Sequence, residues 1–139
     1  MEQKSANVEK ETIRVVPKEG AALEISVRNH RLIVDQPAEK GGKNEGMTPV
    51  ELFLGSLASC VGYYAVRFCQ RHNLPAEGLR VSMEWEYAKE PYRVSVMELH
   101  VDLPVRWNPE YNERFLKVIE GCTVHQSISQ TPKILLHLN

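Results

Sequence analysis

The chain has 139 residues, 42% hydrophobic and 25% charged, a composition able to bury one sizeable core and read here as one domain spanning 1–139. A formal net charge of -1 and a pI near 6.5 supply no net basic field, so nucleic acid and anionic lipid are not expected partners. The opening MEQKSANVEKETIR is charged, without the apolar stretch of a secretory signal, and no uninterrupted run of about 18 apolar residues occurs; a cytoplasmic protein without membrane association is expected, with residues 1–11 a flexible or peripheral segment.

Thr12 to Val16 is a short β-branched run. In 22–28, Leu23, Ile25 and Val27 alternate with Glu24, Ser26 and Arg28, which predicts a strand with one buried face. A turn at Asn29-His30 leads to RLIVD, a third strand. DQPAEKGGKNEGM reads as a long loop without regular structure, of the length that often carries function.

Thr48-Pro49-Val50-Glu51 then announces a helix. Thr48 is a capping residue, proline suits the first helical position, and Glu51 three residues on completes a capping box. Helical spacing continues through Phe53, Leu57, Val61, Ala65 and Phe68 to about His72. A helix apolar over most of its girth must be covered on several sides, which predicts a central element and makes a homodimer with shared helices plausible.

Residues 79–88 alternate Val81, Met83, Trp85 and Tyr87 with Arg80, Ser82, Glu84 and Glu86, a strand. In the following RVSVMELHVDL, Val94 and Val96 share one parity and Leu99, Val101 and Leu103 the other; a β-bulge near Met97-Glu98 would reconcile them. Asn108-Pro109 opens a second helix with Tyr111, Phe115, Val118 and Ile119 on one face, ending at Gly121. CTVHQSIS starts a further short helix and ILLHLN is expected to close as a strand. Meanders, hairpins and two apolar helices together predict an α+β domain with an antiparallel sheet.

Three cysteines, Cys60, Cys69 and Cys122, are too few for a secreted disulfide framework, and any disulfide in a reducing compartment would be transient. Cys122 and His125 are two potential metal ligands without companions, so no metal and no cofactor is expected. Cys60 and Cys69 are ~180° and ~13 Å apart on one helix, beyond disulfide reach. Cys69 reads as a buried small hydrophobe. Cys122 follows a helix stop and precedes a helix start, where unpaired N–H groups favour thiolate: at a pKa of about 8.5 only ~3% is ionised at pH 7, against ~90% near 6. His125, three residues on, shares its face.

Gly41, Gly42, Gly46, Pro49, Glu51, Leu52, Leu54, Ser56, Leu57 and Cys60, followed some sixty residues later by GCTVHQSI, resemble the OsmC/Ohr family, on the OsmC-like side rather than the classical Ohr branch. The resemblance extends from about residue 20 to the end. It implies an intertwined homodimer in which antiparallel sheets wrap two long central helices. It also implies a thiol peroxidase for organic hydroperoxides, with Cys60 peroxidatic, Cys122 resolving, and an external dithiol as reductant. The acidic residue that follows the helix-start proline in the peroxidase branch is Val50 here, and the proline usual after the second cysteine is Thr123. The arginine that activates the sulfur in that branch has candidates in Arg14, Arg28, Arg31 and Arg67. The alternative is a binding protein for a small apolar or electrophilic ligand, with Cys60 as lining.

Overall fold

The computed structural model describes residues 10–139, so the expectation for residues 1–11 falls almost wholly outside the described residues. Two compact units follow one another along the chain, one ending at Leu52 and one beginning at Phe53.

The first is a meander of β1 (Arg14–Pro17), β2 (Leu23–Val27) and β3 (His30–Val34). Its pairing is antiparallel throughout, with Val15 opposite Ile25 and Ile25 opposite Leu32. β2 is half-buried along its whole length instead of alternating, as befits the middle strand of three. The β2–β3 turn falls at Arg28-Asn29, one residue earlier than the sequence predicts, with Arg28 at φ 50.

The long loop is more ordered than expected. Ala38–Lys40 makes one turn of 3-10 helix, and the chain returns to lay Met47 beside Val34. Asp35, only 2% exposed, organises this return. Its carboxylate accepts backbone N–H groups from Gln36 at 2.8 Å and from Lys43 and Glu45 at 3.2 Å each. A Cβ on Gly42 would collide with the Gln36 carbonyl, and one on Gly46 with that of Ile33. The glycines at these two positions let backbone pass against backbone.

The Gln36 N–H holds the Asp35 carboxyl below the usual carboxylate range; burial opposes this, while the Glu45 and Lys43 N–H groups and the Lys43 charge reinforce it. A lowered folded-state pKa means that the stabilisation is complete above the unfolded value of about 3.9 and is lost as pH falls towards the lower folded value. Protection of the Lys43 and Glu45 amides relative to their intrinsic exchange rates should therefore fall on acidification below about pH 4 in the wild type. In Asp35→Asn that step should vanish, with faster exchange at neutral pH.

Helix α1 (Pro49–Arg71) starts as its sequence dictates. Thr48 Oγ1 accepts the Glu51 N–H and Glu51 Oε1 accepts the Thr48 N–H, both at 3.1 Å, a reciprocal capping box. Thr48→Ala should cost about 1 kcal/mol in urea unfolding, with Glu51→Ala adding less than its separate effect because the two bonds share one turn. At the other end Asn73 takes φ 52 and the Leu74 N–H reaches the Cys69 carbonyl at 2.9 Å, a left-handed stop before Pro75.

In the second unit α1 buries Leu54, Leu57, Val61, Ala65, Phe68 and Cys69. These follow three- and four-residue spacing and form a single stripe. Phe53, Tyr63 and Val66 stay exposed, so the chain by itself covers fewer sides of the helix than its composition demands. By length and composition α1 could cross a membrane, although glycines, serines and tyrosines interrupt it. Its buried stripe packs on the chain's own core.

β4 (Arg80–Ala88) and β5 (Arg93–Asp102) pair as an antiparallel hairpin. The bulge lies at Ser95, not near Met97-Glu98: Glu86 pairs with Val96 and Tyr87 with Val94, leaving Ser95 as the extra residue. Ser95 Oγ donates to the Glu86 carbonyl at 3.3 Å. The extra residue brings Val94 into parity with Met97, Leu99 and Val101, all half-buried, while Val96 turns outward. Parity counted one inserted residue but misplaced it: a bulge at Met97-Glu98 would keep Val96 inward, whereas the one at Ser95 turns Val96 outward and brings Met97 inward.

α2 (Pro109–Glu120) begins with Asn108 Oδ1 accepting the Glu110 N–H at 3.1 Å and ends at Gly121. α3 (Thr123–Ser129) follows immediately, with Cys122 as its N-cap. The core joins Ala65, Phe68 and Cys69 of α1 to Trp107 and to Phe115 of α2. The expected closing strand is absent: residues 134–139 have no regular structure, and Leu136 is 91% and Leu138 102% exposed. A strand is completed by hydrogen bonds to a neighbour, and no described strand of this chain pairs with the segment.

Candidate functional site

Cys60 lies mid-way along α1, half-buried. Cys122 is held by a sharp join between helices: its N–H donates to the Ile119 carbonyl and its own carbonyl accepts from the Gln126 N–H, each at 2.9 Å. Its side chain is fully buried. The two sulfurs, 62 residues apart in sequence, lie at bonding distance as a disulfide with a Cα–Cα separation of 6.7 Å, within the span a disulfide bridges. Cys69 remains a free thiol, fully buried, and burial pushes its pKa up. A thiol kept protonated in this way is a poor nucleophile.

A cavity of about 360 Å³ is lined by Leu57, Val61, Met97, Leu99, Ile119 and His125, with Val94, Ser95, Ile128 and Ser129; neither Cys60 nor Cys122 is in its lining. Leu57 and Val61 bracket Cys60 on α1; Ile119 and His125 bracket Cys122. The sequence pointed to His125 but not to the β5 lining. The inward parity of Met97 and Leu99 was the available signal, and it could not say which cavity that face would wall.

Arg14, Arg28 and Arg31 lie in the first unit, on β1, in the β2–β3 turn and on β3, and Arg31 pairs with Glu24 at 3.7 Å. Arg67 lines a second cavity together with Arg71 and Arg114. Val50 sits in the first turn of α1, 37% exposed, and Glu51 is engaged in the cap. Glu84, Glu98 and His100 bring three potential metal-ligand atoms within 4.8 Å of one another on the hairpin, all exposed; neither Cys122 nor His125 belongs to that group.

The family model described as OsmC-like protein matches residues 42–137, a stretch that includes Gly42 and Gly46 of the loop, α1 and both paired cysteines. The chain belongs to this family. Among solved structures, an osmotic stress induced and detoxification response protein of Psychrobacter arcticus is 21% identical, with a TM-score of 0.77 over 88% of this chain and 91% of that one. An OsmC-like protein of Mycoplasma pneumoniae is 16% identical, with a TM-score of 0.71 over 89% and 90%. An organic hydroperoxide resistance protein, OsmC, of Legionella pneumophila is 16% identical, with a TM-score of 0.63 over 88% and 91%. At these identities the likeness is one of fold. No curated protein matches the chain significantly in sequence. The OsmC-like fold thus holds the mixed α+β arrangement seen here, antiparallel sheets with three helices.

Proposed function

We propose that this OsmC-like protein is a thiol-dependent peroxidase that reduces organic hydroperoxides. The observation that carries the reading is the junction of Cys60 and Cys122 across 62 residues. The Cys60 thiolate attacks the distal oxygen of the hydroperoxide; a sulfur–oxygen bond forms, the oxygen–oxygen bond breaks, and the alkoxide takes a proton to leave as an alcohol. Cys122 then attacks the Cys60 sulfenic acid, forming the disulfide and releasing water. An external dithiol reopens the disulfide by exchange and is itself oxidised. Over the cycle one hydroperoxide and one dithiol give one alcohol, one water and one oxidised dithiol.

The apolar cavity lined by sequence neighbours of both cysteines supports an alkyl rather than a bare peroxide substrate. Leu57, Val61, Met97 and Leu99 offer burial to a hydrocarbon group at roughly 25 cal/mol per Å² of apolar surface removed from water. Hydrogen peroxide cannot draw on that term. The hydroperoxide-resistance name of the Legionella neighbour agrees with the reading. Consumption of an organic hydroperoxide with a dithiol reductant, in wild type and Cys60→Ser, is the test; equal slow rates in both would remove the proposal.

The working form is a homodimer. Phe53, Tyr63 and Val66 on α1 and the tail residues Ile134, Leu135, Leu136 and Leu138 are all exposed, and a second copy is the simplest cover for an apolar helix flank and an unpaired β-prone tail. A second reading, a binding protein for a small apolar or electrophilic ligand, is favoured by the cavity alone: its lining contains no arginine to lower a thiol pKa. In that case Cys60→Ser would leave ligand affinity intact.

A further inference from the structure

The groove between α1 and α2 carries a feature that the redox pair does not use. A cavity of about 330 Å³ is lined there by Tyr63, Tyr64, Arg67, Arg71, His72 and Arg114 over a floor that includes Phe68, a volume at the small end of ligand sites. Arg114 is matched by Glu110 at 2.7 Å. Among the described residues Arg67 and Arg71 form no ion pair. They stand four residues apart on one helix face, where like charges repel. An anion between them would reverse the sign of that interaction.

The walls specify what kind of anion. The Phe68 and His72 rings stack at 4.1 Å, with the His72 Nδ1 turned to the Phe68 carbonyl at 2.9 Å. Tyr63 and Tyr64 meet edge to face at 5.4 Å. Flat rings favour another flat ring by offset or edge contact, and a guanidinium fork matches a planar carboxylate through two parallel hydrogen bonds. We propose that this groove binds a small aromatic carboxylate, its carboxylate held by Arg67 and Arg71 and its ring lodged against Tyr64 over Phe68. The site involves neither sulfur, and it stands whether or not the peroxidase reading does.

The probe is 2-naphthoate, titrated calorimetrically into the full chain with Cys60 and Cys122 reduced and, separately, oxidised. Binding is expected in both states, with Arg67→Gln and Arg71→Gln each weakening it about tenfold or more, the scale of a lost hydrogen bond to a charged group. The neutral 2-naphthamide should bind at least about tenfold more weakly for the same reason. Without ligand both variants should melt at or above the wild-type temperature, because each removes a repulsion, so weaker binding is not misfolding. Equal affinity for the amide, or undiminished binding by the Arg67→Gln/Arg71→Gln double variant, would overturn the site. So would inorganic phosphate displacing 2-naphthoate at equal concentration, or a dimer that dissociates as the probe binds, which would assign the cavity to a subunit interface.

Discussion

Cys60→Ser should lower organic hydroperoxide consumption by about a thousandfold or more, because a hydroxyl replaces the nucleophile itself and nothing in the lining can substitute for it. Cys69 is no reserve: it is fully buried, with its thiol pKa raised by desolvation. Cys122→Ser should behave differently. Attack on the hydroperoxide should persist for one turnover, after which Cys60 stays as a sulfenic acid that a nucleophilic trapping reagent labels and mass spectrometry detects. Steady-state turnover should then collapse, since no internal thiol remains to form the disulfide that the reductant opens. Substituting one cysteine thus removes the chemical step and substituting the other removes the recycling. A pair that served only to brace the fold would give two variants alike in chemistry and alike in lost stability.

Phe68→Ala should destabilise the protein by about 3–5 kcal/mol, the range for an aromatic removed from a packed core. Phe68 is 5% exposed; its ring centroid lies 5.0 Å from that of Trp107 and 5.5 Å from that of Phe115, and Trp107 and Phe115 meet edge to face at 5.3 Å. Truncation leaves a hole that the two remaining rings, Trp107 and Phe115, cannot close. Against a total of roughly 5–15 kcal/mol for a domain, this is a large fraction. Urea unfolding at fixed protein concentration checks it, and a loss below about 1.5 kcal/mol would mean that the core relaxes into the gap. Because Phe68 lies two turns beyond Cys60 on α1, the variant should also loosen the join to α2 that presents Cys122.

Much of the local structure was legible in the chain. The capping box at Thr48 and Glu51, the Asn108-Pro109 start and the Gly121 stop are short-range bonds written into neighbouring residues. The meander and the hairpin followed from two-residue alternation. Asp35 was not legible: one acid at the end of a strand looks like a solvent-facing turn residue, and only the return of Lys43 and Glu45 to its carboxylate reveals its place. The tail failed as a strand because β-propensity states a preference for pairing and supplies no partner.

For the site, spacing along α1 already separated Cys60 from Cys69, because helix rise and rotation are fixed by backbone geometry. Family resemblance nominated Cys122. That Cys60 and Cys122 meet, and that Met97, Leu99 and His125 wall one cavity together with Leu57 and Val61 of α1, was decided only by the tertiary structure. Local patterns fix where side chains point on each element; which elements face one another depends on long-range burial, to which the whole core contributes.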